Sequence, residues 1–438
     1  MRAFLSSPLA AGWMAEGVLA GAETLRKEEL PTDLRARFPR GSVVVEHEPI
    51  PFSNFPYEWP PEMLHCAAAL TLQLARAAVD TGFVLKDATP YNVMFDGTQP
   101  VFLDLSSFRR RDPLDAMWPP YAQFIRTFVY PLLASRFFGL RPDELLLANR
   151  DGLEAGRMLA LCPLFRRFLP PFLGAVTIPA LLERSGREAP DGYRPRPARD
   201  AEEAAFVLNR LFTRARRLLD WHRAAARHGM ALDYRNGAGS YTPAQFSEKE
   251  RFVAKAFGRW PPRKVLDIGC HTGHFSLIAA LHGARVVAID RDPAAVGALW
   301  HAARQAKANI LPLVVDIARP PGASGWANRE CESFLARARG QFDYVLVLAL
   351  VHHLLVNERA PLPEIFALTA ELTTQFAVIE YIDPADPQFQ RIARGRDALH
   401  RELTRETFEC AAGSFFRILE ASDVSPTRRL YLMRKPES

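Results

Sequence analysis

The sequence predicts an α/β protein in two parts, with a doubly wound sheet in the C-terminal half and a mostly helical α+β domain before it. Three observations predict this class. From about residue 262 onward, short apolar runs alternate with helical stretches, which is typical of a parallel sheet. Before residue 185, the longest apolar segments have helical spacing instead. Between them, residues 185–200 are rich in Pro, Gly, Arg and Asp, which marks a loop or domain boundary.

The composition is that of a globular protein with room for two or three domains. The chain has 438 residues, of which 48% are apolar and 24% charged. Its formal charge of +6 is spread along the sequence, with Arg far ahead of Lys. A nucleic-acid partner is permitted by this charge but not indicated, because no Lys/Arg block supplies a concentrated phosphate-binding stripe.

Cysteine usage and hydropathy favour a cytoplasmic protein without a membrane partner. No stretch reaches the roughly eighteen uncharged apolar residues of a membrane span. The apolar N-terminal run is interrupted by Pro8 and Glu16, so we expect it to be folded structure and not a signal peptide. The cysteines are odd in number, far apart and without a C-x-x-C pair, which favours a reducing compartment. They are Cys66, Cys162, Cys270, Cys331 and Cys410.

The N-terminal part, residues 1–199, is predicted to have its own mostly helical core. One helix covers residues 61–82, with Pro61 in its first turn and Gly82 after its end. A second strongly apolar helix covers residues 118–139. We expect this part to recognise the substrate.

A long amphipathic helix within residues 200–235 is predicted to link the two parts. Asp200 and further acidic residues open it, and Gly229 closes it. Its predicted apolar face consists of Phe206, Val207, Leu211, Leu218 and Trp221.

The remaining residues, 236–438, carry the strand signals of the doubly wound sheet. Each signal is a short apolar run, and helical stretches separate most of them. The runs are "KVLDIG", "RVVAID", "ILPLVVD", "FDYVLVLAL", "FAVIEYI" and "RRLYLMRK".

The loop after the first of these strands has the composition of a ligand-binding turn. In "VLDIGCHTGHFSLIAA" the strand runs into Asp267, Gly269 and Gly273 and then into a helix. Glycines there let the backbone turn tightly and approach a ligand at the carboxyl end of the strand. The spacing is D-x-G-x-x-x-G, which differs from the G-x-G-x-x-G of a dinucleotide fold. The next strand ends in Asp290, an acidic residue that could accept hydrogen bonds from both hydroxyls of a ribose.

Four segments in succession carry a family resemblance. "VLDIGCHTGHFS", "VVAIDRD", "LVVDIA" and "FDYVLVLALVHHL" resemble, in order and spacing, the motifs of class I S-adenosylmethionine-dependent methyltransferases. The resemblance implies a Rossmann-like fold, S-adenosyl-L-methionine as cofactor and a role for each matching residue. The implied contacts are Asp267, Gly269, Cys270 and Gly273 to the methionine part, Asp290 with Arg291 at the ribose, Asp316 and Ile317 at the adenine, and Tyr241 in a helical entry segment.

Catalytic candidates follow the fourth and fifth strands of the predicted sheet. Methyl transfer is an in-line displacement that requires alignment and no metal, and a base helps when the acceptor is a hydroxyl or protonated amine. His352 and His353 suit proton transfer near neutral pH, although one histidine could instead pack and the other cap a helix. Glu380, at the end of the fifth strand, is a second candidate and would bind the acceptor. Alternatively, it is only a surface charge at the end of a strand. His271 and His274 form an H-x-x-H without an evident third ligand, so no metal is predicted.

A second resemblance lies in the N-terminal part, at "LKDATPYNVMFDGTQPVFLDLSSF". Asp87, Asn92 and Asp104 are similar to the catalytic loop and metal-binding aspartate of the protein kinase and aminoglycoside phosphotransferase superfamily, a kinase C-lobe feature. Leu105 and Ser106 replace the usual Phe-Gly, and no glycine-rich nucleotide strand precedes the motif. The alternative is a set of strand hairpins, with one turn at "DGTQ". The whole chain resembles two-part bacterial proteins, some nodulation-associated, that pair such a segment with a methyltransferase.

The favoured hypothesis is a methyltransferase acting on an O or N nucleophile of a small molecule, glycan or biosynthetic intermediate. Three alternatives stay open. One is an RNA methyltransferase that uses the arginines between Arg210 and Arg223 to contact phosphates. The others are a bifunctional kinase-like methyltransferase and a non-catalytic adaptor that only binds the cofactor.

Overall fold

The computed structural model describes residues 1–26, 29–31, 35, 43–184, 198–226, 241–400 and 402–436. The chain divides into two compact units, Met1–Gly229 and Met230–Ser438, called unit 1 and unit 2. Most of the predicted boundary at residues 185–200, and the predicted helix end at Gly229, lie outside the described residues.

Unit 1 is mostly helical with short antiparallel strands, as its apolar spacing predicts. Its described helices are α1 (Arg2–Leu5), α2 (Pro8–Ala15), α3 (Pro61–Asp80), α4 (Tyr121–Phe124), α5 (Tyr130–Phe138), α6 (Pro142–Ala148), α7 (Ala155–Leu161), α8 (Ile178–Arg184) and α9 (Ala201–Ala226). Two π-helical turns, Ile125–Val129 and Leu173–Thr177, lead into α5 and α8. Its described strands are β1 (Ala22–Leu25), β2 (Val44–His47), β3 (Phe83–Leu85), β4 (Val93–Asp96), β5 (Gln99–Phe102) and β6 (Phe108–Arg110).

The two predicted apolar helices of unit 1 are confirmed. Helix α3 has Pro61 in its first turn, and Gly82 follows it with a φ of 79°. The second is built from α4, a π-helical turn and α5, and it ends at Gly139 in the left-handed conformation. The extra residue in the π-helical turn shifts the apolar stripe, so that Phe124, Phe128 and Leu132 are all buried.

Helix α9 belongs to unit 1, where it packs on α3, and its buried face differs from the predicted one. Leu218 is buried as predicted, but Phe206 and Val207 are 61% and 43% exposed. The prediction followed the largest apolar residues, whereas the phase of the helix is fixed by a stripe with spacings of three and four. That buried stripe is Ala204, Leu208, Phe212, Ala215 and Leu219.

Unit 2 contains one seven-stranded sheet with the order β12-β13-β11-β10-β7-β8-β9. The strands are β7 (Lys264–Ile268), β8 (Arg285–Asp290), β9 (Ile310–Val314), β10 (Phe342–Val347), β11 (Thr373–Ile382), β12 (Arg417–Ser425) and β13 (Arg428–Arg434). Pairings among β9, β8, β7, β10 and β11 are parallel, while β13 pairs antiparallel with β11 and β12. The predicted doubly wound sheet is therefore confirmed for its five parallel strands, which five of the six predicted runs form. The sixth run, "RRLYLMRK", forms the antiparallel strand β13, and β12 was not among the predicted runs.

Helices separate most of the strands of unit 2. They are α10 (Pro243–Arg259), α11 (His274–Leu281), α12 (Pro293–Ala306), α13 (Phe334–Ala338), α14 (Val351–Val356), α15 (Leu362–Leu372), α16 (Pro387–Ala393) and α17 (Arg405–Gly413). The chain builds β7, β8 and β9 outward in one direction and then returns to place β10 on the other side of β7. Open α/β sheets bind ligands at such a reversal, at the carboxyl ends of the strands.

Candidate active site

A cavity of about 390 Å³ lies at the carboxyl ends of the parallel strands of unit 2. Asp267 at the end of β7, Asp290 at the end of β8 and Leu348 after β10 all line it, so the cavity occupies the reversal of strand order. Ten of the residues predicted from the motifs line the cavity: Tyr241, Asp267, Gly269, Cys270, Asp290, Arg291, Asp316, Ile317, His352 and His353.

The loop between β7 and α11 adopts a backbone that its glycines permit. Gly269 and Gly273 have φ values of 74° and 79°. A Cβ added to Gly273 would lie 2.1 Å from the Leu299 Cδ1 atom of α12, so a side chain there would clash with α12 unless Leu299 moved. Gly273 does not line the cavity itself but lets the loop pack closely against α12. His271 also has a positive φ, 50°, which is strained for a residue with a Cβ.

Asp290 anchors this loop and still has free acceptor capacity. Its Oδ2 accepts the backbone N–H of His271 at 2.9 Å, and its Oδ1 accepts that of Asp292 at 2.9 Å. A carboxylate has about four lone-pair sites, so about two remain for a ligand. Asp316, after β9, also accepts two hydrogen bonds, one from the N–H of Ala318 and one from the guanidinium of Arg319.

Asp267 lies under the cavity with its carboxylate almost out of water. It is 3% exposed, and its Oδ2 accepts the hydroxyl of Ser276 at 2.6 Å. Burial raises the pKa of Asp267 to about 6, because desolvation penalises the charged form. Burial, together with the Asp267 carboxylate, also raises the pKa of the Cys270 thiol well above its usual range, so Cys270 is an uncharged lining group.

The two histidines on α14 line the cavity in neutral form. Burial lowers the pKa of His352 to about 3, and the neighbouring His353 adds to this effect. The Nδ1 of His352 is buried without a hydrogen-bond partner among the described residues, although the whole side chain is only 4% exposed. Burial also lowers the pKa of His353, whose Nδ1 lies 3.3 Å from the amide nitrogen of Asn357.

Glu380 does not line the cavity, which changes the role that the sequence suggested for it. Its side chain is completely buried and forms an ion pair with Lys249 at 2.7 Å. It also accepts the hydroxyl of Tyr241 at 2.7 Å and the backbone N–H of Ala349 at 2.8 Å. All three donors line the cavity, so Glu380 positions its wall from behind and has no surface to offer an acceptor.

Lys249 and Arg428 are lining residues that the sequence reasoning missed. The Nζ of Lys249 lies 4.8 Å from the centroid of the Tyr241 ring, and the guanidinium of Arg428 lies 4.3 Å from it. Arg428 is held in turn by a buried two-contact pair with Asp386, at 2.7 and 2.9 Å. The ring of Tyr241 is thus fixed by two cations and by its hydroxyl bond to Glu380.

A sequence signal for both cations exists. Lys249 stands on the apolar stripe of α10, three residues after Phe246 and four before Val253. Arg428 has the same strand phase as the buried Leu430 of β13. A charged residue at a position where the helix or strand pattern predicts a buried apolar one needs a partner of opposite charge. Such a residue is therefore a candidate member of a functional site.

Comparisons with known proteins agree with this geometry. A family model described as a methyltransferase domain matches residues 241–412, which carry the whole cavity except Arg428. The nodulation protein NoeA of Rhizobium meliloti (strain 1021) is 30% identical over 409 residues, covering 91% of this chain and 83% of NoeA.

The chain belongs to the NoeA family. With the methyltransferase domain in unit 2, it is an S-adenosylmethionine-dependent methyltransferase, and the predicted resemblance to two-part nodulation-associated methyltransferases is confirmed.

Two further matches are more distant. The O-antigen chain terminator bifunctional methyltransferase/kinase WbdD of Escherichia coli is 28% identical over 186 residues, which cover 41% of this chain and 23% of WbdD. The solved structure of the N-methyltransferase NodS from Bradyrhizobium japonicum WM9 with S-adenosyl-L-homocysteine is 16% identical, with a TM-score of 0.34. It covers 49% of this chain and 98% of NodS.

The kinase-like motif of unit 1 folds into a hairpin and two short helical turns. Strands β4 and β5 pair around the predicted "DGTQ" turn, while β3 pairs with β6. Asp104 accepts hydrogen bonds from the N–H and hydroxyl of Ser106 and from the hydroxyl of Ser107. The Nδ2 of Asn92 donates to the backbone carbonyl of Asp87 at 3.4 Å. These contacts do not confirm the kinase-like part of the predicted fold, which stays a prediction.

The arginines of α9 line a second cavity, within unit 1. It measures about 1210 Å³, and Trp118 and Tyr121 also line it. Arg210, Arg214 and Arg217 line it, so they share one face of the helix.

Within the described ranges, no group of three or more His, Cys, Asp or Glu side chains could hold a metal ion. No helix in those ranges is long and apolar enough to cross a membrane.

Proposed function

We propose that the cavity of unit 2 holds S-adenosyl-L-methionine and that the protein methylates a hydroxyl or amine of a glycan or a related biosynthetic intermediate. One observation carries the cofactor assignment: Asp290, at the reversal of strand order, keeps two acceptor sites free beside a glycine loop whose shape it fixes. The cofactor supplies a methyl group on a sulfonium, which leaves the chain to bind, orient and exclude water.

Each part of the cofactor has lining residues that suit it. The free acceptor sites of Asp290 match two ribose hydroxyls, with Arg291 beside them. Asp316 and Ile317 follow β9 and would contact the adenine, where Ile317 contributes an apolar face. The loop from Asp267 to Gly273 would hold the methionine part, as the resemblance implies.

His352 suits a hydrogen-bonding role better than the role of a strong base. A group with a pKa of about 3 takes up a proton poorly at neutral pH. Its buried, unpartnered Nδ1 is nevertheless a polar atom on the wall of the cavity. We assign the Nδ1 of His352 to orienting the O–H or N–H of the acceptor. His353 is then the remaining histidine candidate for proton transfer.

A glycan is favoured among the acceptor classes by the name of one relative. WbdD is an O-antigen chain terminator, and an O-antigen chain is a glycan. Gln388 and Arg391 of α16 line the same cavity as the histidines and supply amide and guanidinium donors of the kind that bind sugar hydroxyls. The proposal retains the cytoplasm as the place of reaction, supported by cysteines that are all free in the described structure.

Two measurements on the full chain test this proposal. Calorimetric titration should show S-adenosyl-L-homocysteine binding that ATP does not displace. Transfer of a tritiated methyl group into cell extract, fractionated into metabolite, glycan, RNA and protein pools, should label the glycan or metabolite pool. If S-adenosyl-L-homocysteine did not bind, the cofactor assignment would be wrong. If the methyl label appeared only in RNA, the acceptor would be RNA and not a glycan, and the arginines of α9 would be the candidate RNA-binding surface.

A further inference from the structure

One surface of unit 1 combines exposed apolar side chains with arginines, and the methyl-transfer site does not use it. A short 3₁₀ turn, Leu164–Phe168, has no buried residue. Its Leu164, Phe165 and Phe168 are 71%, 64% and 68% exposed, and the following Leu169 is 52% exposed. Large apolar residues are normally exposed singly, so a contiguous group of this kind indicates a binding surface.

Helix α8 extends this surface. The hydroxyl of Thr177 donates to the backbone carbonyl of Arg167 at 2.7 Å, which ties the start of α8 to the turn. On α8, Ile178 and Leu181 are 49% and 54% exposed, and Ala180 is buried. We call the exposed apolar residues of Leu164–Leu169 and α8, together with Arg166 and Arg167, the apolar-basic patch.

The charge of the patch identifies the chemistry of its partner. Residues 155–184 contain four arginines and one acidic residue, Glu183. Arg166 lies over the rings of Phe137 and Phe165, at 5.0 and 5.7 Å, and Arg167 donates to the carbonyl of Cys162. Among the described residues, no carboxylate forms a salt bridge with Arg166 or Arg167, so an anionic partner could satisfy both.

We propose that the apolar-basic patch binds the surface of a bilayer that contains anionic phospholipid. Phe and Leu side chains at the tip of a turn fit the boundary between headgroups and acyl chains, and arginines beside them fit the lipid phosphates. The hydropathy of the sequence does not reveal such binding. A peripheral contact requires only a local apolar surface, whereas hydropathy detects the long continuous apolar segment that spans a membrane. Peripheral binding would place the methyltransferase beside acceptors that are attached to lipid.

Vesicle co-sedimentation of the full chain tests the proposal. The wild type should sediment with vesicles of phosphatidylcholine and phosphatidylglycerol, and less with phosphatidylcholine alone. Phe165→Ser combined with Phe168→Ser should lower the partition coefficient at least about tenfold, because two aromatic side chains no longer enter the interface. Arg166→Gln combined with Arg167→Gln should weaken binding to anionic vesicles only and reduce its dependence on salt.

The controls distinguish specific binding through the apolar-basic patch from non-specific hydrophobic adsorption and from misfolding of the variants. Leu281→Ser removes an apolar side chain of unit 2 that is 85% exposed, and it should leave vesicle binding unchanged. All variants should keep the melting temperature and the cofactor affinity of the wild type. No vesicle binding by the wild type, or binding that both double variants retain, would overturn the proposal. A dimer seen by light scattering that the Phe165/Phe168 variant abolishes, without vesicle binding, would assign the patch to a second copy of the chain.

Discussion

Asp290 of unit 2 and Asp104 of unit 1 look alike in sequence, since each follows a short apolar run and each belongs to a motif typical of a nucleotide-binding enzyme. Their surroundings differ. Asp290 accepts hydrogen bonds from two backbone N–H groups, and it lines a cavity. Asp104 accepts from three donors of its own turn, and Ser106 and Ser107 supply all of them. By the same count of lone pairs, Asp290 keeps about two acceptor sites free and Asp104 about one, so Asp290 has the greater capacity to accept hydrogen bonds from a ligand.

The two units also differ in how deeply an ion pair is buried. In unit 2, Lys249 and Glu380 form an ion pair with side chains 2% and 0% exposed. In unit 1, Arg126 and Glu154 form a pair with side chains 35% and 58% exposed. Only the first can hold a site rigidly, because water screens the second.

The largest expected effect tests the buried pair. Glu380→Ala leaves the Lys249 ammonium buried without a partner, which should lower the free energy of unfolding by about 3–5 kcal/mol. Glu154→Ala is the matched exposed control and should cost less than about 1 kcal/mol. Urea unfolding measures both. Equal losses for the two variants would contradict the contrast drawn between the pairs.

The next effect concerns cofactor affinity. Asp290→Ala should weaken S-adenosyl-L-homocysteine binding by about 100-fold or more, since it removes two charge-assisted hydrogen bonds and the anchor of the loop. Asp104→Ala in unit 1 should leave that affinity within about twofold of the wild type. Calorimetry distinguishes the two. A strong effect of Asp104→Ala would mean that unit 1 contributes to cofactor binding.

The pH dependence of stability should reveal two opposing titrations in unit 2. The folded pKa of His352, about 3, lies below its usual 6.5, so the unfolded chain binds more protons and this residue makes stability rise with pH in that interval. The folded pKa of Asp267, about 6, lies above its usual 3.8, so this residue makes stability fall as pH rises from about 4 to 6.

Between pH 4 and 6 the two contributions largely cancel, and a variant at either position should remove the cancellation. Asp267→Asn should make the free energy of unfolding rise with pH more steeply than in the wild type, by up to about 1.4 kcal/mol per pH unit. His352→Asn should change the slope in the opposite direction. Urea titrations at several pH values measure the slopes, and parallel curves for all three proteins would refute these ionisation states.

The smallest effect concerns the unit 1 motif as a structural turn. Asp104→Ala removes the acceptor that caps the 3₁₀ turn Leu105–Ser107 and should cost about 1 kcal/mol of stability. Addition of magnesium and ATP should not raise the melting temperature of the wild type. A rise that Asp104→Ala abolishes would instead support the kinase-like alternative.

The sequence by itself determined the fold class of unit 2 and predicted residues that line its cavity. Strand signals and glycine spacing are local properties of the chain, and the parallel order of β7 to β10 then brings Asp267, Asp290 and His352 to one edge of the sheet. Local signals also predicted the two apolar helices of unit 1, because helical spacing persists over twenty residues or more.

Only the tertiary structure decided which charged groups face the cavity and which support it. Glu380 ends up behind the wall because Lys249, 131 residues earlier in the chain, packs against β11. Phe206 ends up exposed because the stripe of α9 that meets α3 is set by Leu208 and Phe212. Both outcomes depend on which distant element covers a residue. Burial and ion pairing are determined by neighbours in space, and the spacing of residues along the sequence does not identify those neighbours.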